Sequence, residues 1–590
     1  MLKGDIDILA DYYQNEISYL RSAGADFATK FPKIAKRLDI SNSESSDPHV
    51  ERMMESFAFL CGKLQRQIDD QFPIIASTLL DVLYQPLILP TPSCVMANFD
   101  IDLVRAEKDA GCTITKGTPL YSTSYSGDIC TFMTAHALSL WPIEITSASI
   151  VHKEHIGSNY TQEVNYLKII LKYYGSPPEQ MPKKLRFYIK GDAILRGKLF
   201  ASIFSTDANV IHQRDHNSTS LPVISPIGLE NDESLFPYPN TVHSGFRLLH
   251  EYFFFSDKFY GFDVQLSESC DISGETYLFI PMSYDIGVPV FAKNFSLFSV
   301  PIVNLFRKIS EPQRLDYKQM EYCLIPDYRR YQTHEIYSIE KIVAVDANSN
   351  DEIYVPEFFA CGHQSMFEKH NFYWKSRRKK SKVKDAFGED VYISFIDTNF
   401  DPQFPMDKVF YAHTLCTNRG VAEQIPANGS LQMELSVPAS SIYCTNHPTA
   451  QRQSIQSGEI MWKLISALSL DSISFKSHGL SKLKNILGVF ADISNSELST
   501  EIDAILSIES TIKTKRINQQ TWLGFVPGTD VEITFDASIQ NLGLPLSLII
   551  SKFLASYTSI NTFTEVTVKN VAYNRILKKW NHYLGIRNYL

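Results

Sequence analysis

The stretch DPHVERMMESFAFLCGKLQRQIDDQFP, residues 47–73, reads as one amphipathic helix and sets the helical character of the N-terminal part of the chain. Asp47 offers a side-chain acceptor to the first free backbone amides, and Pro48 suits the first turn, where a missing N–H costs nothing. Val50, Met53, Phe57, Leu60 with Cys61, Leu64 and Ile68 recur at spacings of three and four and form one apolar stripe. Glu51, Arg52, Glu55, Lys63 and Arg66 fall mostly off it. Phe72-Pro73 is expected to end this helix, since an interior proline removes a hydrogen bond and clashes with the preceding turn. A short helix over 74–83 follows, and Pro86, Pro90 and Pro92 mark a turn-rich exit. Upstream, Leu9, Tyr13, Ile17, Leu20 and Phe27 give a first helix that Phe31-Pro32 interrupts. Residues 1–92 are thus an N-terminal helical region. Its stripe must be buried against something, either its own domain or the groove of a partner bundle, and the sequence leaves both open.

After residue 92 the texture changes to short β-branched and aromatic runs divided by Gly, Pro, Ser and Asn, the signature of strands. Examples are 94–99, 167–173 and 185–189. Helical patterns return only at 245–255, 458–468, 480–490 and 546–557, with a strand at 531–535. The expected fold is α+β and multidomain, β-rich with an N-terminal helical region. The expected divisions are a β-rich domain over 93–235, a β-rich middle domain over 236–400 and a C-terminal α+β domain over 401–590. No repeat of solenoid period is present.

A chain of 590 residues exceeds one hydrophobic core, and 44% hydrophobic with 21% charged residues is an ordinary globular balance. A net charge of -9 disfavours nucleic acid as a partner, because phosphate affinity comes from clustered Lys and Arg. Nine cysteines, an odd number without any C-x-x-C pair, match thiols of a reducing compartment. The acidic start, Met1 to Asp7, lacks a signal-peptide core, and the best apolar run, 544–554, is broken by Pro545 and Lys552. These features point to a cytoplasmic chain with no direct membrane insertion.

Motifs of catalysis are missing. The nearest approach to a phosphate loop, Gly191 with Gly197-Lys198, has five intervening residues in place of four, and Leu199 stands where a metal-binding hydroxyl is needed. His250-Glu251 and His334-Glu335 lack the second histidine of a zinc protease, and no G-x-S-x-G elbow occurs. Cys361, His363 and His370 match no standard zinc spacing, so no metal and no cofactor are expected. Asp69-Asp70 and the group Asp385, Glu389 and Asp390 read as solvated charge. Six cations between Arg377 and Lys384 read as an exposed loop between strands.

One resemblance runs through the chain. YYQNEISYLRSAGADFATKFPKIAKRL from Tyr12 and the helix at 47–73 open it. TFMTAHALSLWPI from Thr131, FPYPNTVHSGFRLLHEYFFFSDKFYGFD from Phe236 and PIVNLFRKISEPQRLD from Pro301 continue it. EYCLIPDYRRYQTHEIYSIEKI from Glu321, LCTNRG from Leu415, MWKLISALSLDSISF from Met461 and YTSINTFTEV from Tyr557 complete the collinear set. The whole resembles the TssF family, also called VasA or ImpG, of the type VI secretion system. Two departures are Arg419-Gly420, where the family often has Arg-Asp, and the end from Ile576 to Leu590.

The resemblance implies a fold like that of contractile-tail baseplate wedge proteins and a structural, non-enzymatic role. Its implied partners are a TssG-like subunit, a second copy of the chain, TssK, TssE and the VgrG hub, in a cytoplasmic baseplate docked at the inner-membrane complex. Aromatic and Arg anchors usually dominate such interfaces. Candidates are Trp141, the group Arg247, Tyr252, Phe253 and Phe254, and the group Tyr328, Arg329, Arg330 and Tyr331. Two other readings stay open on the residues alone: a wedge of a related phage-derived injection machine, and a hydrolase whose acidic residues converge in a cleft of a β-rich scaffold.

Overall fold

The computed structural model describes residues 3–35, 48–108, 111–151, 165–175, 182–205, 211–214, 217–220, 224–239, 244–266, 274–284, 286–315, 319–346, 352–358, 372–381, 388–397, 408–455, 458–468, 479–494, 498–519, 522–539, 543–559, 562–571 and 575–585. The chain divides into two units, one of Met1–Ile88 with Ile455–Leu468 and one of Leu89–Ser454 with Ser469–Leu590.

The first unit is helical. Helix Lys3–Lys30 ends at the expected point and is followed by the single turn Pro32–Ala35. The decisive stretch begins at Pro48 as expected, with Glu51 complementing the positive end of the helix. Asp47 and its cap lie outside the described residues. The expected break at Phe72-Pro73 does not occur, because one helix of 37 residues runs from Pro48 to Tyr84. An interior proline costs about 3 kcal/mol, but packing overrides local propensity. Beyond the proline, Ala76 and Leu80 are fully buried and return that cost.

Two faces of this helix differ in residue size. Ala58 is fully buried, and a Cβ on Gly62 would lie 3.2 Å from backbone atoms of Tyr12 and Tyr13, so the first helix approaches along a seam of small residues. Arg21 and Glu51 pair across the same two helices at 2.5 Å. On the opposite side Met53, Phe57, Leu60 and Leu64, spaced 4, 3 and 4 apart, are 73%, 55%, 56% and 59% exposed. Ile75, three turns further on the same stripe, is exposed as well. The stripe read from the sequence thus points out of its own unit. Gly62→Val is expected to push the two helices apart and lower the thermal midpoint, by about 1–3 kcal/mol of overpacking. Circular dichroism melts with limited proteolysis of residues 3–35 check this.

The second unit is a set of mostly antiparallel sheets. Its first sheet has the order Ala439–Cys444, Cys94–Ile101, Ser299–Val303, Ile129–Thr134, Pro119–Thr123. Cys94 pairs with Val303 and Ala97 with Cys444. This sheet draws on all three β-rich stretches, so the divisions at 235 and 400 cut through it and those stretches fold together. A second correction concerns the β-rich domain expected over 93–235: Ala193–Phe204 within it is a helix, apolar enough to be buried for most of its length. Gly197-Lys198 lies inside it and forms no phosphate loop.

Two further sheets pack face to face. One contains Phe306–Ile309, Lys408–Thr417, Glu335–Asp346 and Glu352–Val355; the other is Tyr322–Cys323, Glu389–Asp397 and Phe372–Lys380. Ile336, Ile342 and Phe410 meet Trp374 and Ile393 in their shared core. The basic run is therefore not simply a loop: Arg377 to Lys380 continue a strand, while 382–384 lie outside the described residues. The period of two explains how a strand accepts them. Phe372 and Trp374 face the core, and Arg378, on their side, donates to the Ile336 carbonyl at 3.0 Å and to that of Tyr337.

Near the C-terminus, Ile505–Gln519 and Trp522–Phe535 form a hairpin, and Phe563–Asn570 joins it in parallel. A parallel pair needs a crossover. Helix Leu544–Ala555 lies in that connection and is buried on nearly all sides, which accounts for its apolar sequence. Among the described residues no helix is long and apolar enough to cross a membrane.

Candidate functional site

The segment Tyr328 to Tyr331 sits on a turn that the sequence builds locally. The Asp327 carboxylate accepts the Arg329 amide at 2.9 Å, and the Arg330 carbonyl accepts the amides of Thr333 at 3.0 Å and His334 at 2.9 Å. Lys308 hydrogen-bonds the other oxygen of Asp327 and holds its carboxyl below the ordinary range. Tyr328, Arg329 and Arg330 are thereby held out in solvent, while Tyr331 turns half inward. Burial, reinforced by Asp390, raises the Tyr331 phenol.

Tyr328 and Tyr331 line one side of an open cleft of about 510 Å³, completed by Gln319, Glu321, Cys323, Ile325 and Tyr392. Tyr392 arrives from a distant strand whose register sets it opposite Arg377. Lys379 pairs with Glu321, and its ammonium lies 4.6 Å over the Tyr392 ring. The turn from 326 to 334 and the basic strand thus meet at one cleft. Arg329, Arg330 and Arg377 are exposed and make no ion pair among the described residues. An aromatic wall with unpaired guanidinium groups suits a protein surface of acidic or mixed character.

Beneath the cleft lies a support that the sequence did not announce. Arg419 is buried with φ 52°, donates from Nε to the His334 carbonyl at 3.0 Å, and pairs with Asp390 at 3.2 Å. Glu389, next to it, accepts the Ser454 hydroxyl at 2.5 Å. Glu389 and Asp390 are consequently buried and bonded, not solvated as expected; Asp385 lies outside the described residues. Arg419-Gly420, a departure by sequence, keeps its arginine as the centre of this network.

The other candidates are placed differently. Arg247, Tyr252 and Phe253 are interior and Phe254 is half-buried, so this group forms no surface anchor. Helix Ser244–Phe254 packs through Gly245 onto Phe553, and Phe246 meets Phe490, Phe553 and Tyr557 at ring distances of 5.4–6.0 Å. The Tyr252 hydroxyl donates to Glu501 at 2.8 Å. Glu251, fully buried, pairs with the fully buried Lys258 and lies 3.6 Å from Arg247. The spacing of Arg247 and Glu251, four apart on a helix, was a readable sign of such a pair. Trp141 is half-buried and covers Gly111, where an added Cβ would lie 3.0 Å from the indole. Cys361, His363 and His370 lie outside the described residues.

Comparison with known proteins agrees with this architecture. The family described as "Type VI secretion system, TssF" matches residues 6–587. The type VI secretion system component TssF1 of Pseudomonas aeruginosa is 26% identical over 615 residues, covering 98% of this chain and 99% of its own length. A chain in the solved TssK-TssF-TssG baseplate subcomplex of a type VI secretion system shares the fold with a TM-score of 0.73 at 20% identity, covering 92% of this chain and 100% of that one. A chain of a second type VI baseplate complex matches with a TM-score of 0.60 at 19% identity, over 98% and 100% of the two chains. With nearly its full length matched, the chain belongs to the TssF family of the type VI secretion system.

Proposed function

We propose that the chain is a structural wedge subunit of the cytoplasmic type VI baseplate, binding partners and catalysing no reaction. In this reading it assembles as two copies with one TssG-like subunit, meets TssK and TssE, and takes a place around the VgrG hub, docked at the inner-membrane complex. The platform so formed primes polymerisation of the contractile sheath and tube. Solved relatives of the same fold occur in a TssK-TssF-TssG subcomplex, which supports the choice of partners.

The observation that carries the reading is the outward stripe Met53, Phe57, Leu60, Leu64 and Ile75. Alternating spacings of four and three are the period of a helix packing along another helix, so the occupant is a helical bundle face supplied by a partner. The Tyr328 cleft is a second, more polar contact surface.

Co-expression with the TssG-like neighbour, followed by light scattering, tests this. A complex containing two copies of the chain is expected, whereas a lone monomer that ignores the neighbour would overturn the reading. The double change Leu60→Glu, Leu64→Glu is expected to leave the helix intact and weaken the complex by about 30-fold or more, the scale of one lost hot spot. An unchanged complex would move the docking face elsewhere.

A further inference from the structure

The second unit contains a cavity of about 330 Å³ that no part of the wedge reading uses, lined among others by Lys190, Arg196, Asp257, Lys293, Asn428 and Tyr443. Its charge is unbalanced. Three cationic side chains face one carboxylate, Asp257, and Arg196 already pairs with that carboxylate. The three cations less one carboxylate leave a net of two positive charges on the lining.

Lys190 is the telling residue. Its ammonium is partly buried, and it donates to a neutral acceptor, Oδ1 of Asn98, at 3.0 Å. That oxygen also takes the hydroxyls of Ser296 at 2.5 Å and Ser299 at 2.9 Å, so it has little acceptor capacity left for the lysine. Asp100, the neighbouring acid, is engaged by the Asn98 amide at 3.0 Å and the Ser441 hydroxyl at 2.8 Å. Burial lowers the Lys190 pKa and outweighs the opposing charge of Asp100. Arg196 adds a buried Nε with no hydrogen-bond partner among the described residues.

Buried charges are ordinarily paired. We propose that this cavity binds a phosphate group, as the free ion or as the head of a small phosphomonoester. A carboxylate would neutralise half of the excess, whereas a phosphate monoester carries about -1.5 to -2 at neutral pH. The volume exceeds that of one oxyanion, and the Asn428 amide and Tyr443 ring offer an organic remainder both hydrogen bonds and a flat wall.

Isothermal titration of the purified full chain tests this, with inorganic phosphate and glycerol phosphate as probes and acetate and chloride as controls at matched ionic strength. One-to-one binding of at least one phosphate probe is expected. Lys190→Met should weaken it about ten- to a hundredfold, the scale of one charge-assisted hydrogen bond. Lys293→Met, on an exposed side chain that cannot endanger folding, should weaken it in the same direction. Tighter binding of the ester assigns an organic ligand, and equal binding assigns the free ion. The proposal is overturned if neither phosphate probe binds, if acetate binds as tightly, or if both variants bind like the parent chain.

Discussion

Replacing Glu251 by alanine is expected to produce a large loss of stability in the second unit. Glu251 and Lys258 are both fully buried, and the glutamate also accepts the Leu235 amide at 3.1 Å and faces Arg247. Deleting it leaves two cations in the interior without their anion, a loss of about 3–5 kcal/mol. That is comparable to the lower end of total domain stability, about 5–15 kcal/mol. A steep fall in soluble yield and in the thermal midpoint is the expected readout. The double change Glu251→Leu, Lys258→Met should recover part of the loss, because Lys258 is then no longer stranded, while Arg247 keeps only its bonds to the Leu229 carbonyl and Asn231. An alanine variant that melted like the parent would show that the pair contributes nothing.

Acidification is expected to have the next largest effect. His250 and His334 are both held down to about 4, in each case first by burial. His136 is lowered in the same way by burial and then by Arg186. An unfolded histidine titrates near 6.5, so on acidification the unfolded chain takes up protons that the folded chain refuses. Folded values below unfolded ones mean stability that is present above about pH 6.5 and lost as pH falls toward about 4. At pH 5 the loss is about 2 kcal/mol for each of His250 and His334, from 1.36 kcal/mol per pH unit. Glu335, raised by burial, works in the opposite direction and gains as pH falls. Thermal midpoints between pH 7.5 and 5 should drop, with a shallower slope in His250→Gln. A flat or rising profile would contradict the assignment.

How far the sequence could be read depends on the range of the physics involved. Helices were legible because their period and stop signals are local: 245–255, 458–468 and 480–490 were read within a few residues of Ser244–Phe254, Gly458–Leu468 and Gly479–Ser494. Pro73 misled because the cost it imposes is local while the burial of Ala76 and Leu80 that offsets it is tertiary. Strand existence was legible too, but strand partnership was not, since nothing near Cys94 specifies Val303 as its partner. The domain divisions followed texture along the chain and crossed a sheet for that reason.

For the candidate surfaces the same logic holds. The aromatic and Arg content of Tyr328 to Tyr331 was legible; the turn that presents Tyr328, Arg329 and Arg330 to solvent, and the contribution of Tyr392 and Lys379 to the same cleft, required the fold. The Arg247 to Phe254 group lies mostly in the interior because dense aromatics serve interiors as readily as interfaces. The polarity of a stripe shows that it must be covered, and only the structure shows that Met53, Phe57, Leu60 and Leu64 face outward.

The assignment of Ile455–Leu468 to the same unit as Met1–Ile88 sets an order of events during synthesis. The ribosome releases the N-terminal helices long before their last companion exists. At about 5–20 residues per second, the interval from residue 88 to residue 468 is roughly 20–80 s. Throughout it the nascent helices are without the packing that Gly458–Leu468 will give them. The outward stripe, in contrast, lies wholly on Pro48–Tyr84 and is complete from the start of that window.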